Sequence, residues 1–115
     1  MTNYNLEERT LVFAKSVRTF VKLLPKCMSN FEDSKQVIRS SGSIGANYIE
    51  ANEALSKKDF KMRMKISRKE AKETCYWLKL LDTGNNQNLE KERLAPLDEA
   101  TQLLKIMSSI ILKAI

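Results

Sequence analysis

No histidine occurs among the 115 residues, and the two cysteines, Cys27 and Cys75, lie far apart in the chain. A serine or cysteine nucleophile would therefore lack the imidazole that usually activates it. A zinc site would have to be built from Cys27, Cys75 and carboxylates, an uncommon donor set without motif spacing. The Glu-x-x-His pairs of bundle di-iron centres are excluded outright. Ser-Gly-Ser-Ile-Gly at 41–45 has glycines but no lysine and no preceding strand, so it does not make a phosphate loop. Glu70 and Glu73 are the most suggestive carboxylates, yet they sit among Lys and Arg, where ion pairing is the simpler role. The expectation is a non-enzyme with no metal and no cofactor.

Residues that could bind, rather than react, concentrate in 56–81, a stretch free of Gly and Pro. Phe60, Met64, Ser67, Ala71, Thr74, Leu78 and Leu81 recur at steps of four and three, one face of a helix. Lys61, Lys65, Arg68, Lys72 and Lys79 follow one residue later and form a basic edge. Two readings stand for that edge: phosphate contacts, or a solvated face with i,i+4 pairs such as Lys69 to Glu73. Met62, Ile66, Trp77 and Leu80, with Glu73 among them, form a third, largely apolar side. It reads as a subunit interface, where Trp and Met are enriched, or as core in a helix buried on two sides. In the preceding segment Asn47 and Glu50 stand one turn apart, as a ligand pair or as a buried polar link between helices or subunits.

The elements that must carry these groups are helices. Three Gly and two Pro leave little room for a turn-rich β fold, and Leu, Lys, Glu, Ala and Met favour helix. A first helix is expected over about 6–27 from Leu6, Phe13, Val17, Phe20 and Leu24, with Pro25 marking its end or a kink. A second over about 34–55 places Val37, Ser41, Ile44, Tyr48, Ala51 and Leu55 on one face. It runs through Gly42 and Gly45, whose small size admits a neighbouring backbone. The third spans 56–81 with Ser56 as N-cap and Asp59 near the positive helix end. Asp-Thr-Gly-Asn-Asn-Gln-Asn at 82–88 is a polar turn. A fourth over about 89–114 buries Leu97, Ala100, Leu104, Met107, Ile111 and Ala114, with Pro96 expected in the first turn of its main segment after a separate short turn. The sum is an all-α, antiparallel up-down four-helix bundle forming one domain over 1–115.

Net charge is +6, which favours anionic partners but does not specify fold. The N-terminal residues have neither a basic start nor an apolar signal core. The apolar C-terminus is interrupted by Lys105 and Lys113 and reads as a buried helix end. No run approaches the roughly 20 apolar residues of a membrane span. With two unpaired thiols, a reduced cytoplasmic setting is expected.

Three segments carry a family resemblance. Ser-Ile-Gly-Ala-Asn-Tyr-Ile-Glu-Ala-Asn at 43–52, Ser-Lys-Lys-Asp-Phe at 56–60 and Lys-Glu-Ala-Lys-Glu-Thr-Cys-Tyr-Trp-Leu-Lys-Leu-Leu at 69–81 resemble the bacterial four-helix-bundle proteins named for the open reading frame in 23S ribosomal RNA intervening sequences. Arg39, Ser43, Ile44, Asn47 and Glu50 match the second-helix signature; Phe60, Glu70, Ala71, Glu73, Thr74, Tyr76, Trp77 and Leu78 match the third. Members are sometimes labelled ribosomal proteins, a label these residues do not support. The resemblance implies a ring-like homopentamer. The related accessory variability protein of diversity-generating retroelements is a basic pentamer that binds a reverse transcriptase and nucleic acid. Many members have Gly after the signature Glu; Ala51 here implies that the second helix runs on to Leu55.

Together these readings lead to a homo-oligomeric scaffold that binds RNA or a nucleic-acid-processing protein through Lys61, Lys65, Arg68, Lys72 and Lys79. Its subunits would join through Met62, Ile66, Trp77 and Leu80, with Arg39, Asn47, Glu50, Glu70 and Glu73 as structural polar residues. The alternative is a purely protein–protein scaffold.

Overall fold

The structure is a computed structural model that describes residues 5–114; the first four positions of the N-terminal reading and Ile115 lie outside them. Helices α1 (Leu6–Leu23), α2 (Met28–Asn52), α3 (Lys57–Leu80) and α4 (Gln87–Lys113) follow one another through short connections. Each packs on its two neighbours, α1 on α2, α2 on α3, α3 on α4 and α4 back on α1, with the α2–α3 pair the most extensive. This is the up-down four-helix bundle expected. Its centre is filled by Phe13, Val17 and Phe20 of α1, Val37 and Ile44 of α2, Met64, Ala71 and Leu78 of α3, and Leu103 and Met107 of α4.

Side-chain caps start three of the helices. Asn5 Oδ1, Ser56 Oγ and Asn86 Oδ1 accept from the backbone N–H groups of Glu8, Asp59 and Leu89, at 2.8, 3.0 and 3.0 Å. Each satisfies one donor that the first helical turn leaves orphaned. The Ser56 cap is the one the sequence marks.

The helix limits differ from expectation in four places. α1 stops at Leu23, two residues before Pro25, whose ring disfavours helical geometry at Leu24. α2 begins at Met28 rather than near 34 and has no side-chain cap at Cys27. Its start is held from a distance by Asn30, only 4% exposed. The Asn30 amide donates to Pro25 O at 2.9 Å and to Asp82 O at 2.7 Å, and its Oδ1 accepts from Asp82 N at 2.8 Å. One side chain thus ties the α1–α2 connection to the α3–α4 connection. At its other end α2 stops at Asn52, short of Leu55, which is fully exposed in the connection to α3. Finally, α4 is continuous from Gln87, with Pro96 inside it. The proline removes the hydrogen bond that would fall on Glu92 O. The turn before it is anchored independently by the Asn86 cap, by Leu89 against the core, and by Arg93.

Gly42 and Gly45 both lie within helical α2, as expected, but only one mediates close approach. A Cβ on Gly45 would fall 2.6 Å from Thr10 Oγ1 and 3.0 Å from Thr10 Cβ, so α1 and α2 cross tightly there. A Cβ on Gly42 would find its nearest atom, Arg18 Nη2, at 3.9 Å. The 82–86 turn uses positive φ at both Gly84 (64°) and Asn85 (62°), the region that Gly and Asn tolerate best.

Candidate functional site

The candidate site is the surface of α3, and its orientation is set by the buried face. Met64, Ser67, Ala71, Thr74 and Leu78 point inward. Against α2 the contact is made by small polar groups. Ser67 Oγ donates to Ile44 O at 2.8 Å, and Thr74 Oγ1 lies 2.8 Å from Ser40 Oγ and 2.7 Å from Glu70 O. These bonds satisfy hydroxyls that would otherwise be costly to bury and fix the rotation of α3 about its axis. At the C-terminal end Arg93 of α4 donates to Leu78 O at 2.6 Å and Lys79 O at 3.0 Å, placing a cation on the negative helix end. Arg93 also holds Glu90, whose carboxyl is kept below its usual range first by the Thr83 hydroxyl and then by Arg93.

With α3 so oriented, the basic edge faces outward along its α4 side. Lys65, Lys72 and Lys79 are exposed, and Lys61 and Arg68 half-buried. Among the described residues none of the five makes an ion pair. The Lys69–Glu73 pair expected from the i,i+4 rule is not formed. Glu73 turns instead toward Arg39 of α2, at 3.6 Å, alongside Glu70 at 3.5 Å. Glu70 is almost fully buried, so this bridge is the polar seam between α2 and α3.

On the other side of α3, Met62 and Leu80 are 46% and 47% exposed, while Ile66 and Trp77 are half-buried. Trp77 leans on the core. Tyr76, at 60% exposure, meets it edge-to-face with ring centroids 5.2 Å apart. Tyr76 falls one turn beyond Lys72, so an aromatic ring stands beside the cations. The sequence carries that signal in the Lys-Glu-Thr-Cys-Tyr spacing, and Tyr76 joins the five cations of the expected edge only in the structure. Asn47 donates to Ser43 O of its own helix at 2.9 Å, and Glu50 is exposed. Among the described residues neither makes a hydrogen bond or ion pair to another helix.

Cys27 is exposed and Cys75 half-buried, both as free thiols. Among the described residues no group of three or more Cys, Asp or Glu side chains converges as metal ligands would. No helix among them is long and apolar enough to cross a membrane.

Comparison with known proteins follows this architecture. Among solved structures, the chain is similar to the crystal structure of a protein of unknown function from the S23 ribosomal protein family of Bacteroides thetaiotaomicron VPI-5482. The two share 35% identity over 93% of this chain and 98% of that one, with a TM-score of 0.79. No curated protein matches the chain. The sequence profile of the 23S rRNA-intervening sequence proteins matches residues 3–109. Almost the whole bundle, including every element that orients α3, is therefore common to a known group, and the chain belongs to the 23S rRNA-intervening sequence protein family.

Proposed function

We propose that this protein is a non-enzymatic homo-oligomer, a ring of five copies, that presents the basic edge of α3 to RNA or to a nucleic-acid-processing protein. The observation that carries this reading is where the charge sits. α3 holds nine basic and three acidic residues, a net +6 that equals the net charge of the whole chain. Two of its three acids are engaged by Arg39, while the five edge cations are free of acidic partners among the described residues. A polyanion is the partner such an edge suits. Tyr76 adds a π surface on which an unpaired base can stack, which favours single-stranded RNA over duplex. Free thiols suit a reducing, cytoplasmic setting.

The competing reading is a purely protein–protein scaffold, supported by the exposure of Met62 and Leu80. Replacing Lys61, Lys65, Arg68 and Lys72 by Gln separates the two. RNA binding, followed by fluorescence anisotropy at low salt, should fall at least tenfold while sedimentation stays unchanged. No RNA binding by the wild type at low salt would leave the protein scaffold as the better account, and unaltered affinity in the variant would place RNA away from the α3 edge.

A further inference from the structure

On the opposite flank of α2 from the α3 seam, a groove runs along the outside of the α1–α2 pair. Two cavities lie end to end in it, about 1020 and 490 Å³ in volume. The larger ends at Val21 and Ile38; the smaller begins one turn further on, at Arg18 and Gly42. α1 is 18 residues long, so the groove has the length of a helix of about five turns, roughly 27 Å. Its surface is apolar: Val21 and Ile38 floor it, Met28 and Phe31 wall one end, and Leu11 and Ile49 wall the other. Met28 is 85% and Phe31 66% exposed, and they share one cavity with Val21 and Ile38, so they form a patch rather than scattered surface residues.

The rim is cationic. Lys15, Arg18, Lys22, Lys26 and Lys35 line the two cavities, against one acid, Glu7. Lys35 is paired with Glu32; the other four make no ion pair among the described residues. An apolar trough with a basic rim matches one kind of occupant, a helix with an apolar stripe flanked by Asp and Glu. A second copy of this chain is a poor match. The outward face of α4 sets Asp98 between Lys91 and Lys105, and the Met62, Ile66, Trp77 and Leu80 side of α3 carries a single acid, Glu73, already held by Arg39. Nucleic acid is a poor match too, because phosphates gain nothing from the apolar floor, and Lys35 Nζ already lies over the Phe31 ring at 4.4 Å.

We propose that the α1–α2 groove is a docking site for an acidic amphipathic helix of a partner protein, distinct from the α3 edge. The probe is a fluorescein-labelled 18-residue peptide with Leu at i, i+3, i+4 and i+7 repeats and Glu elsewhere. Controls carry Lys for Glu, or Ser for Leu. Anisotropy with the full chain should show saturable binding of the acidic peptide, at least tenfold tighter than either control. Met28→Ser with Phe31→Ser, both exposed positions, should weaken it at least tenfold with unchanged thermal melting, and Lys22→Glu with Lys26→Glu should do the same. The Lys-to-Gln variant of α3 should bind the peptide as the wild type does. No saturable binding, or equal binding of the basic peptide, overturns the proposal. So does a change of sedimentation mass in the Met28→Ser, Phe31→Ser variant, which would make the groove a contact between copies. Displacement of the peptide by RNA from the α3 variant would make it a nucleic-acid site and overturn it equally.

Discussion

A single methyl group separates the roles of the two α2 glycines. At Gly45 a Cβ would collide with buried Thr10, and relief requires α1 and α2 to move apart. Overpacking of this kind costs about 1–3 kcal/mol, offset by roughly 1 kcal/mol of helix propensity. Gly45→Ala should therefore destabilise by up to about 2 kcal/mol, and Thr10→Ala in the same chain should restore part of the loss. At Gly42 there is space, so Gly42→Ala should stabilise by up to about 1 kcal/mol. Urea denaturation of the two variants gives the signs directly, and equal signs would contradict this account of the crossing. Asn30 acts at the same scale. It fills its donors and acceptor with three backbone groups from two connections. Asn30→Ala should cost about 2–3 kcal/mol, since the freed groups lie around a buried site. Asn30→Asp should cost a similar amount, because a carboxylate cannot donate to Pro25 O and Asp82 O. A loss below about 0.5 kcal/mol would mean water replaces the amide.

At the scale of the element, α3 is a helix with three environments. The small-residue face toward α2 and the Arg93 clamp fix its rotation, and rotation decides which side chains reach solvent. Trp77 stands at the boundary, half-buried on the core and bordered by exposed Met62, Tyr76 and Leu80. If this side joins subunits, Trp77→Ala should lower the association free energy by about 2 kcal/mol or more. The measurement is sedimentation across a protein dilution series, with the melting temperature at high concentration as a control for the core. An assembly unchanged by Trp77→Ala would place the contact elsewhere.

For the whole molecule, the consequence of assembly is multiplication of charge. One chain of 13.2 kDa carries +6. Five around a closed ring would carry about +30 in a particle of about 66 kDa. If each copy contributes one phosphate contact, the log–log dependence of affinity on salt should have a slope of about −4 to −5 on duplex DNA and be shallower on single strands. A flat dependence, or no binding at low salt, would remove nucleic acid from the proposed function while leaving the bundle untouched.

Residues 56–81 contained most of what α3 became, because the apolar and basic periodicities are local and a helix converts spacing into faces without outside help. The core positions of α3, the Ser56 cap and the glycine passage through α2 were legible for that reason, and the signature segments pointed to the family, whereas in α4 the expected Leu104 is half-buried and Leu103 fills the core instead. The start of α2, the persistence of α4 through Pro96, the turn of Glu73 away from Lys69 and the groove over α1 and α2 were not. Each depends on a partner remote in the chain: Asn30 on Asp82, Arg93 on Leu78 and Lys79, Glu73 on Arg39, Gly45 on Thr10. Local sequence determined which faces exist. Only packing decided which of them were covered, since a hydrogen bond or a close contact between distant residues has no period to read.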